Sequence, residues 1–207
     1  MSISIPGRVV VFDYGEVISR SPSDEDRAAI LRAAGQPGEA FWPVYWRHRD
    51  ALDAGRLRVT DYWRRVATDL GAEWDLATIQ RIWAADFRSW ISVDEATAQL
   101  LDELHAGGTR LALLSNAGFD FGDPFRSAPT AVVFEKVFVS AELGMLKPDA
   151  SIYRHVIDEL DIRPEQLVFI DNKEVNVDGA VALGATGHVF RDASGLRHFL
   201  ENLAEAA

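Results

Sequence analysis

Five short apolar runs recur along the chain, and each is followed by polar residues or glycine. They cover residues 8–14, 109–116, 136–140, 166–172 and 186–190 and are rich in Val, Leu, Ile and Phe. Their apolar positions are continuous rather than alternating, which is typical of strands buried on both faces of a parallel sheet. Each run is therefore predicted to be a strand.

Helical patterns separate most of these runs. Between residues 94 and 106 the apolar side chains share one helical face, and Gly107 and Gly108 end the pattern. A second helix is expected from Pro148, as a first-turn proline, and a shorter third helix ends at Gly184. The alternation of strands and helices predicts an α/β fold with a doubly wound, parallel, Rossmann-like sheet.

The stretch from residue 19 to residue 92 breaks this alternation, because it has no convincing strand and shows the spacing of about four helices. Ser23 is expected to cap one helix that Gly35 ends, and Thr60 another that Gly71 ends. Its tryptophans stand at helical spacing and are expected to pack mostly in its interior. A helical block after the first strand predicts a helical cap over the strand ends. The predicted domains are an α/β core and a helical cap, made of residues 1–18 with 93–207 and of residues 19–92.

Composition and charge limit the expected partners. The chain has 207 residues, of which 48% are hydrophobic, enough for a substantial core. Its 21 basic and 32 acidic residues give a net charge of −11, so neither nucleic acid nor an anionic membrane is an expected partner. Cysteine is absent, which excludes disulfides and cysteine nucleophiles and fits a reducing cytoplasm. No run reaches the roughly 18 apolar residues of a membrane span, so a cytoplasmic location is expected. A monomer and a homodimer are both left open.

Polar residues stand where the predicted strands end. In open α/β sheets, ligands bind beyond the carboxyl ends of the strands. The residues found there are Asp13 after the first strand, Ser115 and Asn116 after the second, Lys147 before the fourth, and Asp171 and Asn172 at its end. A carboxylate nucleophile, hard oxygen ligands for Mg²⁺ and donors to phosphate oxygens are the groups that phosphoryl transfer needs.

These residues lie in four segments that, in this order, resemble the motifs of the haloacid dehalogenase-like (HAD) superfamily. The segments read VVFDYGEVI, LLSNAG, SAELGMLKPDASIY and VFIDNKEVNVDGAVALG. The helical stretch resembles the helical cap of the phosphatase and dehalogenase branch. The string FDYGEV is similar to the first motif of bacterial sugar-phosphate phosphatase-like members, which often reads FDxGxV.

The resemblance implies a role for each matching residue in substrate chemistry. Asp13 would be the nucleophile that forms an aspartyl-phosphate. Ser115 and the backbone of Asn116 would hold phosphate oxygens, and Lys147 would offset charge on the phosphate and on Asp13. Tyr14 is a further candidate for substrate binding.

Arg47 is another candidate substrate-binding residue, because the basic cluster Arg47-His48-Arg49 lies near the predicted mouth of the site. An exposed helix face is the alternative explanation for this cluster. The resemblance also implies a Mg²⁺ site formed by the carboxylate of Asp13, the backbone carbonyl of Gly15, and Asp171 with Asn172.

Two positions depart from the family pattern. Family phosphatases usually carry a second acid two residues after the nucleophile, which protonates the leaving group, and this chain has Gly15 there. Glu16 is the candidate substitute acid. Many relatives have paired acids in the fourth motif, and here Asn172 replaces the second of them. Because an amide attracts a hard cation less than a carboxylate does, we expect weakened Mg²⁺ binding.

Three functions remain open at this point. The main hypothesis is a Mg²⁺-dependent phosphatase acting on a small phosphorylated metabolite, such as a sugar phosphate. Gly15 and Asn172 favour the alternative of a catalytically weak or inactive homologue that binds a ligand or partner. A 2-haloacid dehalogenase is less favoured, because those enzymes usually read Asp-x-Tyr-Gly-Thr whereas Tyr14 directly follows Asp13.

Overall fold

A five-stranded parallel sheet forms the centre of the protein in the computed structural model, which describes residues 2–206. The strands are β1 (Val9–Phe12), β2 (Arg110–Ser115), β3 (Lys136–Val139), β4 (Leu167–Asp171) and β5 (Thr186–Val189). Their order is β3-β2-β1-β4-β5. The predicted doubly wound sheet is confirmed, and each strand lies within its predicted run.

Helices fill the connections between the strands. The helical insertion (residues 19–92) contains α1 (Asp24–Ala34), α2 (Gly38–Arg47), α3 (Arg49–Asp53), α4 (Val59–Leu70) and α5 (Leu76–Trp90). The remaining α-helices in residues 2–206 are α6 (Glu95–Ala106), α7 (Gly122–Ser127), α8 (Ser140–Leu143), α9 (Ala150–Glu159), α10 (Glu174–Val181) and α11 (Ala193–Glu205).

The two faces of the sheet are both covered, and alternate residues of β1 face different helices. Val9 and Val11 belong to the apolar layer that includes α9 and α10. Val10 and Phe12 belong to the layer that includes α6 and α11. All four side chains are fully buried, which explains why the apolar run is continuous.

The helical insertion has an apolar interior of its own. Trp63 and Val66 are buried there with residues of α1, α2 and α5. As expected, most tryptophans of the insertion contact this interior, but Trp46 is 52% exposed. The first helix begins as predicted, because Ser23 Oγ accepts a hydrogen bond from the Asp26 N–H at 3.1 Å.

Three local predictions were wrong. The insertion has five helices rather than about four, because the chain turns at His48 and separates α2 from α3. Thr60 lies inside α4, whose N-cap residue Arg58 makes no side-chain cap. Pro148 precedes α9, which begins only after Asp149.

The chain leaves and re-enters the α/β core at adjacent points. Ser19 and Val93 form an isolated antiparallel bridge, and the Arg20 N–H donates to the Ser92 carbonyl at 2.7 Å. This pairing closes the neck of the helical insertion. The division of the chain into two domains at these points remains a prediction.

The chain reverses its winding direction at β1, because β2 and β3 lie on one side of that strand and β4 and β5 on the other. Such a switch point places a crevice beyond the carboxyl end of β1, where ligands bind in open α/β sheets. Within residues 2–206 every helix is too short or too polar to cross a lipid bilayer.

Candidate active site

Asp13 lies directly beyond the carboxyl end of β1, at the switch point. Its backbone N–H donates to the Ile170 carbonyl at 2.8 Å, which extends the β1–β4 pairing by one residue. Its Oδ1 accepts a hydrogen bond from the Tyr14 N–H at 2.7 Å. This hydrogen bond and the ion pair described below are both made by Oδ1, and Oδ2 accepts no hydrogen bond from the described residues.

Lys147 joins the ends of three strands. Its Nζ lies 2.8 Å from Asp13 Oδ1 and 2.7 Å from Asp171 Oδ2, and it donates to the Leu114 carbonyl at 3.0 Å. The side chain is only 1% exposed. These three protein oxygens match the three N–H donors of the ammonium, so no water is needed to complete its hydrogen bonds.

Asn116 fixes the backbone of Lys147. The Asn116 side-chain amide donates to the Lys147 carbonyl and accepts from the Lys147 N–H, both at 3.0 Å. The sequence places these two residues in separate segments, and the fold joins them. Asn116 therefore positions the lysine, while the predicted contact of its backbone with phosphate remains a prediction.

Burial sets the electrostatics of this pair. Burial raises the pKa of Asp13 to about 6 and the nearby Asp171 adds to the increase, although Lys147 and the Tyr14 N–H oppose it. Burial alone would lower the pKa of Lys147, but Asp13 and Asp171 outweigh that effect and raise it. Lys147 is thus held as an ammonium beside a carboxylate that is costly to ionise.

Asp171 lies behind Lys147, and its carboxylate is fully engaged. Oδ1 accepts from the Lys173 N–H at 2.8 Å, and Oδ2 accepts from Asn176 Nδ2 at 3.0 Å in addition to Lys147. The side chain is completely buried and is absent from the lining of the adjacent cavity. This geometry makes Asp171 a positioning residue for Lys147, and direct contact with a metal ion remains a prediction.

Glu16 and Asn172 form a second polar pair at the site. Asn172 Nδ2 donates to Glu16 Oε2 at 2.8 Å, and Ser21 Oγ donates to Glu16 Oε1 at 2.8 Å. The amide oxygen of Asn172 is buried and has no hydrogen-bond partner within residues 2–206. An unpaired buried acceptor of this kind costs about 1–3 kcal/mol and calls for an explanation such as an ion.

This unpaired oxygen bears on whether the residues present suit Mg²⁺. The nearby donors are all hard oxygens, comprising the Asp13 carboxylate, the Asn172 amide oxygen and the Gly15 carbonyl that the family pattern assigns. No cluster of three His, Asp or Glu side chains suited to a metal occurs in residues 2–206. Mg²⁺ is commonly held by one or two carboxylates together with water and substrate phosphate, so this donor set fits it.

A cavity of about 630 Å³ opens between the strand ends and the helical insertion. Most of the predicted site residues line it, namely Asp13, Tyr14, Gly15, Glu16, Ser115, Asn116, Lys147 and Asn172. The structure thus brings together residues from four separate segments of the sequence. The helical insertion contributes the opposite wall.

That wall is built around a buried arginine. Arg49 donates to Asp53 Oδ1 at 3.1 Å and to the Tyr45 hydroxyl at 2.6 Å, and it lies 3.4 Å from Asp86 Oδ2. Burial raises the pKa of the Tyr45 hydroxyl, which keeps its proton and donates to Asp86 Oδ1 at 2.8 Å. The polar groups of the wall therefore satisfy one another.

The structure does not place Arg47 at the cavity. Its side chain is 59% exposed and pairs with Asp69 at 2.8 Å, and within residues 2–206 the cavity is lined by Arg49 from the same cluster. Arg49 begins α3 after the turn at His48, and no local pattern in the sequence distinguishes it from Arg47.

Several cavity residues were missed by the sequence analysis. They are Arg27, Trp42, Trp46, Trp90, Phe121, Phe125 and Lys173. Trp90 packs over Gly15, since a Cβ added there would lie 3.7 Å from the indole ring. Nothing in the local sequence distinguishes a cavity tryptophan from one in the interior.

The family profile described as haloacid dehalogenase-like hydrolase matches residues 8–184. This range covers strands β1 to β4 and the whole helical insertion, and the chain belongs to that family.

Curated relatives include two phosphatases. The chain is 27% identical over 182 residues to the sesquiterpene phosphatase astK of Aspergillus oryzae, covering 86% of this chain and 83% of that protein. It is 30% identical over 180 residues to the enolase-phosphatase E1 of Frankia alni, covering 81% and 69%. It spans only 36% of the longer drimenol cyclase drtB of Aspergillus calidoustus, at 24% identity over 198 residues.

A solved structure shares the fold. The HAD family enzyme of Bacteroides thetaiotaomicron, crystallised with magnesium and inorganic phosphate, matches with a TM-score of 0.72 at 21% identity. The match covers 91% of this chain and 98% of that one.

Proposed function

We propose that this protein is a Mg²⁺-dependent phosphatase that hydrolyses a small organic phosphate through an aspartyl-phosphate. The observation that carries the proposal is the Asp13–Lys147 pair at the base of the cavity, with Nζ 2.8 Å from Oδ1 and Oδ2 left without a hydrogen bond from residues 2–206. The phosphatase relatives and the magnesium–phosphate complex of the structural relative support it.

The chemistry has two displacements. The Asp13 carboxylate attacks phosphorus, a P–O bond forms to the aspartate, and the bond to the leaving oxygen breaks. Water then attacks the phosphorus of the aspartyl-phosphate, which releases inorganic phosphate and restores the carboxylate. Lys147 stays protonated throughout and offsets the charge that gathers on the phosphoryl oxygens, and Ser115 offers a hydroxyl from the cavity lining.

The metal site would be formed by Asp13, the Gly15 carbonyl and Asn172, with Asp171 acting through Lys147. When bound, Mg²⁺ would reduce the repulsion between the aspartate and an anionic phosphate. Gly15 carries no proton donor, so the leaving oxygen takes its proton from water, and slow turnover of alkyl phosphates is expected.

The cavity wall suggests the kind of organic group. Its polar side chains, Tyr45, Arg49 and Asp86, already bond to one another, whereas Trp46 and Trp90 meet edge to face with ring centroids 6.5 Å apart. Such a wall contacts the apolar or planar face of a substrate better than it contacts the hydroxyl groups of a sugar. The apolar substrate class in the name of the relative astK is consistent with this.

The test is a turnover assay of the purified chain with an aryl phosphate, a hexose phosphate and a prenyl monophosphate, each with and without Mg²⁺. We expect metal-stimulated release of phosphate that Asp13→Asn lowers by at least about 10³-fold, because the nucleophile is lost. Asp158→Asn removes an equal charge from the exposed side of α9 and should leave turnover unchanged.

Equal rates for the native chain and Asp13→Asn on every substrate would overturn the phosphatase. That result would instead favour an inactive homologue, for which Gly15 and Asn172 are the supporting features. Metal-independent release of halide from a 2-haloacid in a parallel assay would favour dehalogenation.

A further inference from the structure

The pairing of Glu16 with Asn172 has a consequence for the metal site. Asn172 stands where many family members have a carboxylate, and Glu16 brings a carboxylate to it from the loop after β1, with Nδ2 and Oε2 2.8 Å apart. The chain thus retains one negative charge beside this position, although on a different segment.

Hydrogen-bond chemistry decides how the Asn172 amide is turned. An ionised carboxylate only accepts hydrogen bonds, so the amide must present its NH₂ group to Glu16. The amide oxygen is then directed away from Glu16, where it is buried and without a partner among residues 2–206. Asn172 also lines the cavity that contains Asp13. The nitrogen of the amide is therefore taken by Glu16, and its oxygen is left without a protein partner among residues 2–206.

The backbone holds Glu16 in this position at a conformational cost. Glu16 has a φ of +60°, a left-handed conformation that is rare for residues other than glycine. Its N–H donates to Ser19 Oγ at 3.2 Å, and its carboxylate also accepts from Ser21. Strain of this kind persists where surrounding contacts enforce it and is common at functional sites.

We propose that Glu16 is a positioning residue for the divalent cation, replacing the carboxylate missing at position 172. It turns the Asn172 amide so that the oxygen is left for the cation, and it supplies the missing negative charge from the loop after β1. The proposal rests on the Mg²⁺-dependent function proposed above. It also gives Glu16 a role other than proton donor, because both carboxylate oxygens are engaged as acceptors.

The test measures Mg²⁺ binding without turnover, by calorimetric titration with MgCl₂ and by the Mg²⁺-induced rise in unfolding temperature. Glu16→Gln keeps an acceptor for Asn172 but removes the charge, and Glu16→Ala removes both. We expect binding about 10–100-fold weaker in Glu16→Gln, the usual loss for residues that orient metal ligands, and at least as weak in Glu16→Ala. Glu73→Gln, an exposed change of equal charge, should bind as the native chain does.

A charge exchange separates this role from a merely structural one. In the Glu16→Gln/Asn172→Asp double variant the amide and the carboxylate exchange places, and Mg²⁺ affinity should return to within a few-fold of the native value. Equal affinity of native chain, Glu16→Gln and Glu16→Ala would overturn the proposal, as would a double variant no better than Glu16→Gln. Absence of Mg²⁺ binding by the native chain would overturn both this proposal and the metal-dependent function, whereas native binding with unaffected variants would overturn this one alone.

Discussion

At the scale of single residues, the site is arranged around one buried ammonium. Lys147 contacts two carboxylates and a carbonyl oxygen, so Asp13, Asp171 and Lys147 together carry one net negative charge. An anionic phosphate approaching Asp13 therefore meets repulsion that Lys147 only partly offsets. A bound cation, as proposed above, would offset the charge that remains.

Gly15 leaves room for the proton donor that the family pattern has at this position and this chain lacks. A Cβ at this position would make ordinary contacts of 3.7 and 3.8 Å with the Trp90 ring. Gly15→Asp should therefore fold and raise turnover of alkyl phosphates by about 10²-fold, the lower end of the usual contribution of a general acid. Steady-state turnover of an alkyl and an aryl phosphate measures this effect.

The aryl phosphate serves as the internal comparison, since its leaving group departs without protonation and should gain little. Gly15→Asn adds a side chain of the same shape without an acid and should gain nothing with either substrate. If Gly15→Asp accelerated the alkyl and aryl phosphates equally, the gain would not come from a general acid. The same conclusion would follow if Gly15→Asn gave as large a gain as Gly15→Asp.

At the scale of elements, the helical insertion buries charge in the wall of the cavity. Arg49 and Asp53 come from α3 and Asp86 from α5, and their side chains are almost fully buried. Burial raises the pKa of Asp53 to about 6 and also raises that of Asp86, although Arg49 opposes both increases. The wall is therefore held together by groups whose ionisation near neutral pH is costly.

This arrangement makes the stability of the protein dependent on pH. The Asp53 carboxyl binds a proton more tightly in the folded protein than in the unfolded chain. Its contribution to the free energy of unfolding is therefore fully present below pH 3.8 and is lost as pH rises through about 6. The difference between the two pKa values corresponds to about 3 kcal/mol. Urea unfolding from pH 4 to pH 8 should show a decline in the free energy of unfolding that is shallower in Asp53→Asn.

Only the slopes are compared, so a uniform loss of stability in the variant does not affect the result. Asp61→Asn, on the exposed surface of α4, should decline as steeply as the native chain. A decline as steep in Asp53→Asn as in these two proteins would mean that Asp53 does not bind its proton more tightly in the folded state.

At the scale of the whole molecule, the position of the helical insertion on the core depends on a close contact between backbones. Ser140 Oγ donates to the Asp53 carbonyl at 2.6 Å, and a Cβ added at Gly55 would overlap the Ala141 carbonyl oxygen. Gly55 also has a φ of +70°. This contact holds the cavity wall against the strand ends, so its geometry sets the distance between the two halves of the site.

Gly55→Ala should therefore both destabilise the protein and lower kcat/KM. Gly71→Ala is the matched control, because Gly71 has a φ of +63° but nothing within 4 Å of its added Cβ. An alanine in this conformation costs about 1–2 kcal/mol at either position, and the overlap at Gly55 should add at least about 1 kcal/mol. Urea unfolding and turnover assays of both variants would measure the difference. Equal losses of stability and of kcat/KM in the two variants would mean that the contact at Gly55 does not hold the helical insertion in place.

The sheet was predictable from the sequence because burial on both faces leaves a local pattern. Each of the five apolar runs contains a strand, and Asp13, Ser115 and Asp171, at or directly beyond the strand ends, lie at the carboxyl edge as expected. Parallel strands bring their carboxyl ends to one edge, so the order of elements alone predicts that these side chains converge. The same holds for Lys147, whose segment enters between β3 and β4.

Strand burial and chain order in the sequence thus predicted the fold class and the meeting of Asp13 and Lys147 at the strand ends, whereas their roles as nucleophile and counter-charge rest on the family resemblance. Only the tertiary structure decided that Arg49 rather than Arg47 faces the cavity, that Asp171 lies behind Lys147, and that Glu16 holds Asn172. These outcomes depend on which way a side chain turns when separate segments meet, and Glu16 and Asn172 are 156 residues apart in the sequence. No local periodicity carries that information, because it arises from the packing of one segment against another.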